Sequence, residues 1–138
     1  MAAQNLTPRA QRARFHPLEV AEVRPLTAES VEVTFAVPPE LHGQYDYVPG
    51  QHVALRATID GREVRRSYSI CRPPAPGSVS VAIKRDLGGV FSTWAHDALT
   101  PGTVVDVMSP QGTFTSGLAD VAGRHVVGIA AGSGITPL

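Results

Sequence analysis

Hydrophobic and polar residues alternate along most of the chain between Phe15 and Met108, with the two-residue period of half-buried β-strands. The alternating segments are residues 15–24, 31–37, 52–59, 64–70, 79–83 and 104–108. Turn-forming residues separate them, and Asp60-Gly61 is typical of a tight hairpin between the third and fourth strands. Short strands at this spacing predict a closed or nearly closed antiparallel β-barrel.

One short helix is predicted between the fifth and sixth strands. Residues 92–99 have room for about two helical turns, with Ser92 as a favourable N-cap and Pro101 as a stop signal. Longer irregular connections are expected at residues 38–50 and 73–77, which contain several prolines. The pattern therefore predicts a mainly β protein with one helix.

The most informative motif is Arg66-Ser67-Tyr68-Ser69, near the end of the fourth predicted strand. Residues two apart on a strand share a face, so Arg66 and Tyr68 are expected to point the same way. The planar fork of Arg66 suits a phosphate, Tyr68 offers a flat face to a heterocycle, and Ser69 is a small donor for a ring nitrogen. Taken alone, the motif also fits an ordinary strand with a surface arginine.

A second motif follows the fifth strand, which ends at Ile83-Lys84. Gly88-Gly89-Val90-Phe91-Ser92 combines a glycine turn with the predicted start of the helix. Free N–H groups at a helix N-terminus suit an anion such as a pyrophosphate. Alone, this segment fits a capped helix after a turn, but together with the first motif it predicts a flavin nucleotide site.

A third motif lies near residue 138. Residues 126–131 form a continuous apolar run, typical of a strand covered on both faces in a parallel sheet. Gly132-Ser133-Gly134 follows directly, as in nucleotide-binding α/β domains, where such a turn opens a helix.

These motifs resemble the N-terminal part of flavin-dependent reductases of the ferredoxin–NADP reductase superfamily. The resemblance covers residues 14–138 and includes Pro49-Gly50-Gln51 and Ile83-Lys84-Arg85 besides the motifs above. Residues 65–71 and 82–85 are also similar to the reductase components of phenylacetyl-CoA oxygenase (epoxidase) systems. Other oxygenase reductases and flavohaemoglobin reductase domains share these motifs.

The resemblance implies a domain organisation. Residues 1–13 would be a flexible tail and residues 14–118 an FAD-binding antiparallel Greek-key barrel. Residues 119–138 would be the first strand and turn of an NAD(P)-binding α/β domain, so the chain is expected to be truncated.

The resemblance also implies residue roles. Arg66 would bind the flavin pyrophosphate, Tyr68 would pack on the isoalloxazine, and Ser69 would hydrogen-bond near its N5, so Tyr68 and Ser69 are the candidate catalytic residues. Relatives often carry a tyrosine where this chain has His52, which is interpreted as a plain strand residue. The other expected cofactor-binding residues are Ser67, Ile83, Lys84, Gly88, Gly89, Val90, Phe91, Ser92, Gly132, Ser133, Gly134 and Thr136.

The implied function is electron transfer from NAD(P)H through FAD to a 2Fe-2S centre that serves an oxygenase, with phenylacetyl-CoA oxygenase as the expected partner. The iron–sulfur centre and most of the nicotinamide site would lie beyond Leu138, so the chain alone is expected to be inactive. The alternatives are a nucleotide-binding module without turnover, or the reductase domain of another oxygenase or of a flavohaemoglobin.

Composition and charge argue against several other classes of function. A formal net charge of zero gives no drive towards nucleic acid or anionic membranes, and no apolar run is long enough to span a bilayer. The five histidines lack metal-ligand spacing, so no metal site is expected. The single cysteine, Cys71, is consistent with a cytoplasmic location.

Overall fold

A computed structural model describes residues 12–138, so most of the expected tail at residues 1–13 lies outside the described residues. The described chain contains a six-stranded sheet and one α-helix. The elements are β1 (Phe15–Thr27), β2 (Ser30–Ala36), β3 (His52–Ile59), β4 (Arg62–Ser69), β5 (Ser78–Lys84), α1 (Val90–Ala98) and β6 (Val104–Met108). Each of the six predicted strands is confirmed, and two of them, residues 52–59 and 104–108, have the predicted bounds.

The sheet curls so that its two terminal strands meet. Its strand order is β4-β3-β6-β1-β2-β5, and every pairing is antiparallel. Just after β4, Ile70 forms an antiparallel bridge with Val81 of β5, and the Cys71 N–H donates to the Ser80 carbonyl at 3.0 Å. The predicted nearly closed barrel is therefore confirmed.

Alternate residues of the strands fill the barrel. Val33 and Phe35 of β2 and Val81 and Ile83 of β5 have no exposed surface. Helix α1 closes one side of this core with Phe91 and Ala95. Removing such apolar surface from water is the main stabilising term of the fold.

The hairpin between β3 and β4 sets the register of the first motif. Asp60 and Gly61 both have positive φ, at 49° and 73°, as a two-residue type I′ turn requires. In the resulting register, Arg66 pairs with Leu55 and Tyr68 pairs with Val53. Directly paired residues share a face, and both partners are core residues, so Arg66 and Tyr68 lie on the same face as predicted.

The predicted start of the helix is wrong. Helix α1 begins at Val90 with Gly89 in the N-cap position, so Ser92 lies inside the first turn. The Ser92 Oγ instead accepts the backbone N–H of Asp86 at 3.0 Å, and the side chain is buried. A serine three residues after the cap can bond back to the preceding loop, which local sequence preference does not distinguish from capping.

The predicted strand at residues 126–131 is also wrong. This segment forms no strand, and its apolar residues are exposed, with Ile129 93% accessible. Gly132–Ile135 forms a short 3-10 turn in place of an α-helix. A buried parallel strand needs neighbours on both edges and both faces, and none of the described strands pairs with this run.

An ion cluster around the buried Glu32 links three segments on the outer face of the barrel, near the Ile70–Val81 bridge. The Glu32 side chain on β2 is only 6% exposed and is paired with Arg24 of β1 and Arg72 of the β4–β5 connection. Arg72 binds it in a fork, at 2.5 Å from Nε to Oε1 and 3.0 Å from Nη2 to Oε2. These hydrogen bonds outweigh burial and lower the pKa of Glu32.

Replacing Glu32→Gln should lower the free energy of unfolding at neutral pH by about 2 kcal/mol, because two guanidinium groups lose their shared anion. The pKa of Glu32 is depressed from 4.5, so the wild-type advantage is present above that pH and is lost as pH falls through the folded-state pKa. Urea unfolding over this pH range measures both effects.

The control for this substitution is Glu63→Gln. Glu63 is 66% exposed and lies 4.0 Å from Arg56, so the change should stay within about 0.5 kcal/mol. Equal unfolding midpoints for the Glu32 and Glu63 variants would contradict a stabilising role of the cluster.

Candidate functional site

A cleft opens where β4 and β5 diverge from the Ile70–Val81 bridge. Its volume is about 420 Å³, within the range of about 300–1,000 Å³ that is usual for small-molecule sites. Three segments line it: Arg66, Ser67, Tyr68 and Ser69 on β4; Ala82, Lys84 and Asp86 on β5 and its extension; and Ser133, Gly134, Thr136 and Pro137. Two of the three predicted motifs therefore meet in one place.

The walls of the cleft include free strand edges. β4 and β5 are the terminal strands of the sheet, and beyond the bridge no described strand pairs with their outer edges. Unpaired edges present backbone N–H and C=O groups that a ligand can use. The cleft thus offers main-chain hydrogen bonds in addition to its side chains.

Tyr68 is held by aromatic packing below the cleft. Its ring centroid lies 6.0 Å from that of Phe91, and Phe91 lies 5.2 Å from Trp94 of the same helix. Burial, with a further contribution from the Asp86 carboxylate and a smaller opposing one from Arg66, raises the pKa of Tyr68 to about 12. Tyr68 therefore presents a fixed, neutral ring near physiological pH.

The charged groups of the cleft are two cations and one acid. Arg66 is exposed and donates from Nη1 to the Arg65 carbonyl at 2.7 Å, and no ion pair to it occurs within residues 12–138. Lys84 is exposed at the end of β5, and Asp86 follows two residues later. The lining side chains carry a net positive charge, which suits an anionic ligand.

Several predicted cofactor-binding residues lie outside the lining of the cleft. Ile83 and Phe91 are core residues with 0% and 1% exposure, and Ser92 is buried against the Asp86 backbone. His52 forms a bridge with Gln111 and is a strand residue, as interpreted from the sequence. For the predicted cofactor-binding residues that do not line the cleft, contact with a ligand stays a prediction. These residues are Gly88, Gly89, Val90, Phe91, Ser92, Ile83 and Gly132.

The Gly88-Gly89 turn has a structural role. Gly88 has a φ of 74°, which glycine adopts without strain. A Cβ on Gly89 would lie 2.7 Å from the Ser92 Oγ and 3.0 Å from the Asp86 Cβ. The second glycine therefore allows helix α1 to pack tightly against the segment that carries Asp86.

Asp86 was not among the residues predicted from the sequence. A signal was available, because Ala82, Lys84 and Asp86 are spaced two residues apart and continue the period of β5. The sequence motifs pointed to cations and glycines, the groups expected near phosphates, and this acid is not part of them. Only the cleft shows that it shares a site with Arg66 and Tyr68.

Comparison with known proteins places the chain in a family. Residues 17–116 match the family of oxidoreductase FAD-binding domains, and the chain belongs to that family. The matched segment covers all six strands and helix α1 apart from the first two residues of β1. The expected superfamily and the FAD-binding class of the barrel are thereby confirmed.

Two relatives illustrate the match in sequence. The chain is 49% identical over 125 residues, 90% of its length, to one component of the 1,2-phenylacetyl-CoA epoxidase of Escherichia coli K12. It is 36% identical over 88% of its length to the ferredoxin reductase component of 3-ketosteroid-9-alpha-monooxygenase of Rhodococcus rhodochrous. These alignments span 35% and 34% of the two relatives, so the chain covers about a third of their length.

The structural match concerns the fold. The flavohem-like FAD/NAD-binding domain of nitric oxide dioxygenase from Vibrio cholerae superimposes with a TM-score of 0.71 at 23% identity. The superposition covers 88% of this chain and 52% of that one. The barrel is thus the fold of a flavin domain.

Among residues 12–118 and 121–138, no cluster of three or more His, Cys, Asp and Glu side chains is arranged to hold a metal ion. In the same described part of the chain, no helix is long and apolar enough to cross a membrane.

The folded protein should show less phenolate absorbance near pH 10 than the unfolded protein. Burial raises the pKa of each of the three tyrosines, Tyr45, Tyr47 and Tyr68, so folding favours the neutral form of their phenols. Since the raised folded-state pKa favours the neutral form, stability is lost as pH rises above about 10. Ultraviolet titration of native and urea-unfolded protein checks this, and equal phenolate absorbance of the two at pH 10 would contradict it.

Proposed function

We propose that the cleft binds FAD and that the chain is the flavin-holding part of a cytoplasmic reductase. This reductase would take electrons from NAD(P)H and pass them to a 2Fe-2S centre that serves an oxygenase, with phenylacetyl-CoA oxygenase as the favoured partner. The observation that carries the proposal is the meeting of residues 66–69 with Lys84 and Gly134 in one cleft between the terminal strands. The names of the two relatives support the choice of an oxygenase partner.

The residues of the cleft fit FAD. Tyr68 provides an aromatic face, and its packing on Phe91 keeps the ring in place for stacking. Arg66 and Lys84 supply positive charge for a pyrophosphate. Gly134 has no atom within 4 Å of the place where a Cβ would lie, so a ligand can approach the backbone there.

When bound, FAD would supply the redox chemistry by accepting a hydride and releasing electrons singly. The chain's own residues would hold and orient the ring. We assign Ser69 as a hydrogen-bond donor near flavin N5 and Tyr68 as the stacking surface, with Ser67 and Thr136 at the border of the ring. Ser69 is half-buried at the end of β4, where its backbone position is set by pairing with His52.

Replacing Arg66→Ala should weaken FAD binding by about 2 kcal/mol, or roughly 30-fold, because a charge-assisted contact with the pyrophosphate is lost. Titration of the purified chain with FAD, followed by quenching of flavin fluorescence, measures the change. Lumiflavin, which has the ring without the phosphates, should bind wild type and variant equally.

Arg62→Ala is the matched control for this variant. Arg62 lies on the same strand and face as Arg66, but it is next to the hairpin and does not line the cleft. The Arg62→Ala variant loses the same charge, and its affinity for FAD should stay within about twofold of wild type, since screening weakens a distant exposed charge. An equal loss in both variants would mean that Arg66 acts through net charge alone, and unchanged affinity in Arg66→Ala would remove it from the site.

A further inference from the structure

The Asp86 carboxylate is the acid of an otherwise cationic cleft. Lys84 at the end of β5 and Asp86 two residues later line the cleft together with Arg66 and Tyr68 of β4. The carboxylate is exposed and forms no ion pair with any residue of the described chain. It lies close enough to the Tyr68 phenol to help raise the pKa of that group.

The backbone that carries Asp86 is held on both sides. Its N–H donates to the Ser92 Oγ at 3.0 Å, and its carbonyl accepts the Gly89 N–H at 2.9 Å. These two hydrogen bonds fix the backbone from which the Asp86 side chain extends into the cleft. A carboxylate so placed acts on any ligand group that Arg66 and Lys84 attract.

We propose that Asp86 is a specificity-determining residue that makes the cleft favour FAD over FMN. The inference rests on the proposed flavin binding and adds which flavin nucleotide is selected. The two cations attract any phosphate, whereas Asp86 opposes the most concentrated negative charge. A phosphate monoester carries close to two charges on one phosphorus near pH 7, but each phosphorus of a pyrophosphate diester carries only one.

The remaining part of FAD also suits a carboxylate. Beyond its pyrophosphate the molecule continues into a ribose, whose hydroxyl groups can donate hydrogen bonds. An ionised carboxylate only accepts hydrogen bonds, so it can bind these hydroxyls but cannot pair with a phosphate oxygen. One side chain therefore penalises FMN and tolerates FAD.

The test compares riboflavin, FMN and FAD, which share one ring and differ in their phosphates. We expect Asp86→Asn to tighten FMN binding by about fivefold, the size of one like-charge contact near the protein surface. Riboflavin affinity should not change, and FAD affinity should not improve. The ratio of FMN to FAD dissociation constants should therefore fall by at least about fivefold in the variant.

Two further variants make the comparison specific. Asp60→Asn removes the same charge in the β3–β4 turn, where asparagine tolerates the positive φ of 49°, and it should leave the ratio unchanged. Asp86→Glu keeps the charge and should retain at least half of the wild-type selectivity on a logarithmic scale. The FMN effect of Asp86→Asn should also shrink as salt rises, because ions screen exposed charges.

The possible results separate this inference from the proposed function. If wild type and Asp86→Asn both bind FAD and have the same FMN-to-FAD ratio, the role of Asp86 is wrong and the flavin site stands. If Asp60→Asn changes the ratio equally, net charge and not the cleft sets the selectivity, and the inference is overturned. If folded wild type binds none of the three flavins, the proposed function fails and the inference fails with it.

Discussion

The backbone bridge between Ile70 and Val81 is the contact on which both the barrel and the cleft depend. It joins the two terminal strands of the sheet, which closes the core around Val33, Phe35 and Val81. On one side of the bridge the strands separate and leave their edges unpaired. Residues 66–69 come directly before Ile70 and residues 82–86 directly after Val81, so both segments reach the cleft because they flank the point of closure.

Two sets of charged residues lie near this bridge: an ion cluster around Glu32 on the outer face of the barrel, and the charged residues that line the cleft. Glu32 pairs across the sheet with Ala82, which itself lines the cleft, and it holds Arg72 only two residues after Ile70. Burial makes this carboxylate dependent on its two arginines, since an unpaired charge there would be costly. The exposed trio of Arg66, Lys84 and Asp86 is arranged differently, with groups open to solvent and available to a ligand. The charged groups that stabilise the fold around Glu32 are therefore distinct from the exposed charged groups that line the cleft.

Residues of the second motif support the residues that line the cleft. Phe91 supports the Tyr68 ring from the core, Ser92 anchors the backbone of Asp86, and Gly89 leaves room for that contact. In the structure these residues set the position of residues that line the cleft, and their predicted contacts with the cofactor stay a prediction. Sequence reasoning found the segment because glycines and a serine before a helix are typical of phosphate loops. It could not tell direct contact from support, since that depends on which way the helix packs.

The sequence by itself determined the strands, the Asp60-Gly61 hairpin and the shared face of Arg66 and Tyr68, because alternation and turn chemistry act over a few neighbouring residues. It also carried the segment, residues 17–116, that matches the family. Tertiary structure alone decided that Asp86 shares a site with Arg66, that helix α1 starts at Val90, and that residues 126–131 form no strand. The first depends on a second strand that is distant in the chain, and the last on neighbouring strands that the apolar run lacks. The helix start depends on the hydrogen bond between the Ser92 side chain and the Asp86 backbone, which forms only in the folded loop. A linear pattern specifies what a segment can pair with, and only the folded chain supplies the partner.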